Sequence, residues 1–234
     1  ARFHPGEKVL FIDLDAQRNA TSVLLKKNIF PEEETVFAVF TDAFGKTPGI
    51  IESSLLHSTL LPNLTVIPAS LKLVEVESLL SGTLDGFFKL SEALDKIKNE
   101  FSFIIFDCPP SLSMITVNAL VAANYIVVPL QISKFSIEGI QGMIDAVETV
   151  KKRYNPHLKI IGGLLVMFNA RTTLAKAMQP EVEKHMPLFK TVIPESVIVE
   201  ESHMLKKDLF EYAMGSKVTK AYKSLVEEVM YACR

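Results

Sequence analysis

The segment at residues 103–112, FIIFDCPPSL, constrains the fold more than any other part of the sequence. An apolar run ends there in one acid, Asp107, and a Cys-Pro-Pro turn follows at once. A continuous apolar run of this length is typical of a parallel strand that is covered on both faces. Asp107 would then lie at the carboxyl end of that strand, in the crevice where open α/β sheets bind ligands. Because an aspartate is also common in caps and turns, this segment alone leaves both interpretations open.

A second apolar run, KVLFIDLDAQRNAT at residues 8–21, also ends in acids. Side chains alternate along a strand, so Asp13 and Asp15 would share one face. Two carboxylates on one face repel each other unless a cation or a hydrogen-bonding network holds them. Together with Asp107 they make three acids at strand ends, a set that suits Mg²⁺ with a phosphate ligand.

Further apolar runs alternate with segments of helical periodicity along the chain. This order predicts an α/β fold, a doubly wound and mostly parallel sheet with helices on both faces. The predicted strands are residues 9–14, 64–68, 103–107, 125–130, 160–168 and 191–193. The predicted helices are residues 35–43, 71–80, 87–98, 116–122, 137–154, 174–185 and 218–231. Since no repeat, low-complexity segment or linker divides the chain, we predict a single domain over residues 1–234.

Composition narrows the class of protein. The net charge of −2 gives no general attraction to nucleic acid, so such binding would need a local patch. No apolar run approaches the length of a membrane span, and the N-terminal residues show no apolar signal region. The two cysteines, Cys108 and Cys233, are too few for a disulfide framework and favour a reducing, cytoplasmic compartment. They are also not placed to ligate an iron–sulfur cluster.

Six segments, in order, resemble the ParA/Soj group of partition ATPases, relatives of MinD in the P-loop superfamily with a deviant Walker A loop. They are DLDAQRNATS, PNLTVIPAS, FIIFDCPPSLSMITVNAL, IVVPLQISKFSIEGI, FNARTTL and TVIPESVIVEESH. The first resembles the family's DxDPQGNATS, and the third resembles its Walker B and switch region, IIIDCPPSLGxLTxNAL. The resemblance implies a P-loop NTPase fold that uses ATP and Mg²⁺.

Carried over by position, the resemblance implies roles for the three acids. Asp15 would polarise the attacking water at the γ-phosphate, as the catalytic residue. Asp107 would hold Mg²⁺ through water, with Asp15 also near the metal, and Asp13 would support this acidic face toward the nucleotide. Catalysis in this class is mainly positioning and charge neutralisation.

The resemblance also implies a switch and an adenine site. Residues 111–118 would form the switch that senses the γ-phosphate. The late strands would contribute the remaining nucleotide-binding residues, which are Pro129, Gln131, Met167, Asn169, Pro194 and Val197.

The chain departs from the family pattern in several places. The Lys-Gly-Gly-x-Gly-Lys-Thr phosphate loop and its strand do not occur in this sequence, and Gly45-Lys46-Thr47 is interpreted as an ordinary loop. These 234 residues alone are therefore expected to bind ATP weakly or not at all, and the strand at 103–107 is expected to have an unpaired edge. Three substitutions are Ala16 for proline, Arg18 for glycine, and Ser113 for the switch glycine, whose backbone angles a serine resists.

DNA contacts are only partly retained. Family arginines bind DNA phosphates non-specifically, and Arg171 matches one of them. At two other positions where the family has arginine, this chain has Glu195 and Ile198. Lys217 and Lys220 are the further candidates for contacts with DNA phosphates, and the question of DNA binding stays open.

The resemblance implies partners and a cellular location. They are a homodimer formed on nucleotide binding, a centromere-binding ParB-like protein, and association with the nucleoid in the cytoplasm. The last helix has a polar face of mixed charge, which predicts packing in the core and no membrane contact. Two alternatives stay open, a non-catalytic relative that keeps the fold, and a MinD-like or flagellar positioning ATPase.

Overall fold

A computed structural model describes residues 4, 6–27, 29–41, 51–132, 137–170 and 172–233. The chain divides into two compact units, Ala1–Ala122 and Ala123–Arg234. The segment Gly45-Lys46-Thr47 and Arg171, both named in the sequence analysis, lie outside the described residues. The prediction of one domain over the whole chain stays a prediction.

The first unit contains a four-stranded sheet and five α-helices among its described residues. Its strands are β1 (Val9–Asp13), β2 (His57–Ser58), β3 (Leu64–Ile67) and β4 (Phe103–Asp107). Its helices are α1 (Asn19–Leu24), α2 (Phe37–Phe40), α3 (Val76–Leu80), α4 (Lys89–Asp95) and α5 (Met114–Ala122). Short 3₁₀ helices occupy Glu32–Glu34, Ser53–Leu55, Leu71–Glu75 and Lys98–Glu100.

The strand order in this sheet is β2-β3-β1-β4, and β1 runs parallel to both β3 and β4. The apolar side chains of β1 lie at the centre of the unit, with Leu10 and Ile12 fully buried. They belong to one apolar cluster with Leu73 and Leu90 of the helices and with Val36, which precedes α2. This parallel arrangement confirms the predicted α/β class and brings the carboxyl ends of β1 and β4 together.

Strand β4 is the last strand of this sheet in the part of the chain that is described. Its sequence is apolar up to Asp107, yet Ile105 is 47% exposed. A parallel strand with such a sequence is normally covered on both faces. Because β4 is terminal in the strand order, its outer edge has no strand partner among the described residues, as expected for residues 103–107.

Among its described residues, the second unit has two parallel strands, β5 (Tyr125–Leu130) and β6 (Lys159–Leu165). Its helices are α6 (Ile137–Arg153), α7 (Thr173–His185), α8 (Val197–Met204), α9 (Leu209–Tyr212) and α10 (Lys217–Ala232). Isolated parallel bridges join Gly163 to Leu188 and Phe168 to Pro194.

Two glycines in β6 allow close packing of the segment that follows α7. A Cβ atom on Gly162 would lie 2.9 Å from two atoms of the Phe189 ring, and one on Gly163 would lie 2.7 Å from Leu188 Cδ2. These distances are shorter than a van der Waals contact. The absence of a Cβ atom at Gly162 and Gly163 therefore leaves room for the side chains of Phe189 and Leu188, respectively. The segment at 188–189 can therefore lie directly against β6.

Several predicted boundaries differ from the observed ones. The predicted strand at 191–193 is wrong as a regular strand, because only Ile193 bonds to the end of β6, through Leu165, and Pro194 follows immediately. The predicted helix at 71–80 is a 3₁₀ helix up to Glu75 and an α-helix afterwards. Helices α1, α8 and α9 were not predicted. The strands predicted at 103–107 and 125–130 are confirmed with the same bounds, and the remaining predicted strands and helices are confirmed with shifted ends. Residues 42–43 of the helix predicted at 35–43 lie outside the described residues.

Candidate functional site

The carboxyl ends of β1 and β4 form an acidic edge. The parallel register places Asp13 directly opposite Asp107, and each is the last residue of its strand. The N–H group of Leu14 donates a 2.9 Å hydrogen bond to the carbonyl oxygen of Asp107, so the pairing extends to the end of both strands. The two strands that the sequence singled out are thus neighbours, and their acids lie side by side.

Asp13 is fully buried and its carboxylate is held by three hydrogen bonds. One oxygen accepts from the backbone N–H of Asp15 at 3.1 Å. The other accepts from the backbone N–H of Thr21 at 2.8 Å and from the Thr21 hydroxyl at 2.7 Å. The carboxylate therefore closes the loop between β1 and α1.

Asp15 lies just beyond β1 and is only partly buried. Its carboxylate accepts a 3.0 Å hydrogen bond from the backbone N–H of Gln17. Its carbonyl oxygen accepts a 2.9 Å bond from the N–H of Arg18, which makes residues 15–18 a tight turn. This turn presents the Asp15 side chain near the surface beside the buried Asp13.

Arg18 ends this turn in the left-handed conformation, with φ 59° and ψ 28°. The family pattern has glycine at this position, and glycine adopts such angles without a steric penalty. The structure thus gives a physical reason for the family's glycine. In contrast, Ser113 does not have positive φ, so the serine at the switch position adopts ordinary backbone angles.

The pKa of the Asp107 carboxyl is raised to about 6. Loss of water around the carboxyl is the largest cause, and the negative charges of Asp13 and Asp15 add to it. The pKa of Asp13 is also raised, mainly by burial, although its hydrogen bonds oppose the shift. Burial next to Asp107 raises the pKa of the Cys108 thiol to about 12, which makes it an unreactive structural residue.

The carboxylates of Asp13, Asp15 and Asp107 repel each other. Among the described residues, none of them forms an ion pair with a basic side chain. No group of three acidic, histidine or cysteine side chains there is close enough to hold a metal ion unaided. A divalent cation at this edge would thus need further oxygen ligands, as the predicted Mg²⁺–phosphate site provides. The residues fit such a cation, because it would relieve the repulsion at Asp107.

Replacing Asp107 by asparagine is expected to change how stability depends on pH. The native carboxyl keeps its proton up to a pH of about 6, whereas the unfolded chain loses it near 3.8. Unfolding therefore releases a proton in this window, and the free energy of unfolding falls as pH rises from about 4 to 6. We expect the Tm of Asp107→Asn minus the Tm of wild type, measured by thermal unfolding without nucleotide, to be a few degrees higher at pH 7 than at pH 4.

A suitable comparison is Asp85→Asn on the surface. A hydrogen bond from the Lys89 ammonium lowers the pKa of Asp85, so its contribution to stability has the opposite sign and is lost as the pH falls. Burial, the main cause of the raised pKa of Asp13, is common to both proteins, so their difference reports Asp107 together with its repulsion with Asp13. A difference that is constant from pH 4 to 7 would contradict the repulsion inferred here.

The predicted switch at 111–118 leads into α5. The Thr116 hydroxyl donates a 2.6 Å hydrogen bond to the Ser111 carbonyl oxygen. Asn118 is fully buried and bonds to the start of α4, where the Leu90 N–H donates to its side-chain oxygen at 3.2 Å. The carboxyl end of the predicted switch is thus anchored in the core. Its sensing role stays a prediction.

The predicted nucleotide-binding residues of the second unit lie at the end of β5 or in the segments that follow its strands. Pro129 and Gln131 are at the end of β5, and Met167 follows β6 with φ 49° and is 52% exposed. The bridge between Phe168 and Pro194 brings the segment of Met167 and Asn169 beside that of Pro194 and Val197. The two predicted adenine-binding segments are therefore adjacent, and their ligand stays a prediction.

The predicted DNA-binding lysines, Lys217 and Lys220, are exposed one turn apart at the start of α10. The rest of α10 packs through Val218 and Tyr222 into an apolar cluster of the second unit, which confirms the predicted core packing. Glu228, on its predicted polar face, accepts hydrogen bonds from the backbone N–H groups of residues 190 and 191. Among the described residues, no helix has the length and apolar character needed to cross a membrane.

This chain is similar to known proteins both in sequence and in fold. Residues 3–160 match the family described as an AAA domain. The chain is 35% identical over 228 residues to the sporulation initiation inhibitor protein Soj of Bacillus subtilis, which covers 96% of this chain and 87% of Soj. It is 34% identical over 229 residues to the chromosome partitioning protein ParA of Caulobacter vibrioides, with 96% and 83% covered. The solved structure of a Mycobacterium smegmatis cobyrinic acid a,c-diamide synthase with a bound ATP analog and magnesium has a TM-score of 0.79 and 27% identity, over 98% of this chain and 84% of that one.

The parallel strands with acids at their carboxyl ends, together with these matches, define an α/β fold of the P-loop NTPase class. Within that class, the chain belongs to the AAA-domain family and to its ParA/Soj group of partition proteins. The resemblance found in the six sequence segments is thereby confirmed.

Proposed function

We propose that this protein is an ATPase of plasmid or chromosome partition that binds ATP with Mg²⁺ and slowly hydrolyses it to ADP and phosphate. The observation that carries the proposal is the acidic edge, where Asp13 and Asp107 are in register and Asp15 stands beside them. Such an edge is unfavourable without a cation, and relatives in the same group are named as chromosome partitioning proteins.

Each acid has a role that its surroundings support. Asp107 is exposed as a residue at the end of β4 although its carboxyl has lost part of its hydration, so it would hold Mg²⁺ through water. The partly buried Asp15 has one oxygen bonded to Gln17, and its carboxylate would accept a hydrogen bond from the attacking water and orient it. The bound cation would neutralise charge on the phosphates. Pro129, Gln131 and the segments 167–169 and 193–197 would contact the rest of the nucleotide.

We further propose the assembly that partition requires. Nucleotide binding would favour a homodimer, and a centromere-binding ParB-like protein would stimulate hydrolysis. Lys217 and Lys220 are exposed cations one turn apart, and with Arg171 they would bind DNA phosphates without sequence preference. The protein would then act on the nucleoid in the cytoplasm.

The proposal is tested with the full-length protein and Mg²⁺. With a non-hydrolysable ATP analogue, light scattering after gel filtration should show a dimer, and with ADP a monomer. With ATP, phosphate release should be slow and should increase with DNA and the partner protein. A folded protein that shows neither turnover nor a nucleotide-dependent dimer would overturn the proposal and favour the non-catalytic alternative.

A further inference from the structure

Thr21 links three parts of the first unit through one hydroxyl group. The side chain is fully buried in the first turn of α1. Its hydroxyl donates to Asp13 at 2.7 Å and accepts from the backbone N–H of Ala69, which follows β3, at 3.0 Å. A hydroxyl has a single proton, so these two bonds define its orientation. Thr21 therefore ties α1 to the ends of both β1 and β3.

The same network determines where Asp15 lies. Asp13 receives the Thr21 hydroxyl and N–H on one oxygen and the Asp15 N–H on the other. The backbone of Asp15 is thus attached to a carboxylate that Thr21 holds in place. Asp13 is 0% exposed, and both of its oxygens are engaged by protein donors, which is unsuited to direct contact with a cation or phosphate.

We propose that Thr21 and Asp13 are positioning residues that hold Asp15 at the place where it acts on the attacking water. This inference rests on the proposed ATPase activity and goes beyond it. It also differs from the expectation that Asp13 faces the nucleotide. Displacement of a catalytic group by about 1 Å can cost roughly 100-fold in rate, so loss of the Thr21 hydroxyl should reduce turnover although Thr21 touches no substrate.

The test compares Thr21→Val with Thr21→Ser. Valine keeps the shape of threonine and removes the hydroxyl, whereas serine keeps the hydroxyl and removes a methyl group. Thr21→Val should lower kcat by about 10- to 100-fold with KM for ATP changed less than about threefold, since the misplaced group acts in the transition state. Thr21→Ser should retain kcat within about threefold of wild type.

Thr219→Val is the matched control for loss of stability alone. Thr219 is also buried and its hydroxyl donates to the Ala213 carbonyl oxygen at 2.8 Å, but it lies in α10 of the second unit. This variant should be destabilised without a change in kcat. Equal losses of kcat in Thr21→Val and Thr219→Val would overturn the proposal, as would an unchanged kcat in Thr21→Val.

Amide hydrogen exchange separates this proposal from the proposed function. In wild type, the Asp15 and Thr21 amides should be protected by Asp13, and Thr21→Val should speed their exchange at least tenfold while Thr219→Val should not. A wild-type protein without ATPase activity would refute the proposed function but leave this readout intact. Unchanged exchange in Thr21→Val would refute the positioning network whatever the activity.

Discussion

Replacing Asp15 by asparagine is expected to lower the rate of ATP hydrolysis by about 10²- to 10⁴-fold, the usual contribution of a positioned general base. Asparagine is nearly isosteric and its amide oxygen can still accept the hydrogen bond from the Gln17 N–H. The turn at residues 15–18 should therefore persist. The lost element is the negative charge that orients and polarises water, so phosphate release measured at saturating ATP and Mg²⁺ should fall.

Nucleotide binding should survive this substitution. Removing one of three repelling carboxylates takes nothing from the fold and lowers the repulsion on Asp107. Calorimetry with a non-hydrolysable analogue should give a Kd within about threefold of wild type, a difference of less than about 0.7 kcal/mol. Asp95→Asn, on the surface of α4, is the control that should change neither quantity. Loss of binding in Asp15→Asn would instead make Asp15 a metal ligand or a structural residue.

The acidic edge could be predicted from sequence because its two strands are strongly encoded. Continuous apolar runs are typical of buried parallel strands, and an acid at the end of each marks the carboxyl edge of the sheet. The register that places Asp13 opposite Asp107 follows once β1 and β4 pair in parallel. The strands and their terminal acids are local patterns, whereas the pairing of β1 with β4 joins residues 94 positions apart and is seen only in the structure.

The positioning network could not be predicted in the same way. Thr21 stood within a recognised segment, yet its bond to the Ala69 N–H spans 48 positions in sequence. The split of residues 71–80 has a local cause instead, since the Ser70 side chain accepts from the Lys72 N–H where the 3₁₀ helix begins. Contacts like that of Thr21 are different. Such contacts depend on which elements become neighbours, and hydrophobic periodicity does not report them.

Asn118 illustrates how far the structure goes beyond the motif that contains it. The residue belongs to the predicted switch as the last residue of the segment 111–118, and it begins the family's NAL pattern. Helix α4 is preceded by Phe88, which has no polar side chain that could accept hydrogen bonds from the first N–H groups of the helix. In the structure, Asn118 provides such an acceptor. The Asn118 side chain accepts from the Leu90 N–H at 3.2 Å and donates to the Gly86 carbonyl oxygen at 2.8 Å.

Replacing Asn118 by alanine is therefore expected to destabilise the protein by about 3 kcal/mol. The substitution leaves a buried donor at Leu90 and a buried acceptor at Gly86 without their partner, and each such group costs roughly 1–3 kcal/mol. A domain has only about 5–15 kcal/mol of stability in total, so the effect should be large in urea unfolding at constant m-value. The comparison is Asn155→Ala, which removes a bond to the Ala123 carbonyl oxygen at a partly exposed site and should cost only about 1 kcal/mol. A loss below about 1 kcal/mol for Asn118→Ala would show that Asn118 does not cap α4, and would return it to the switch role alone.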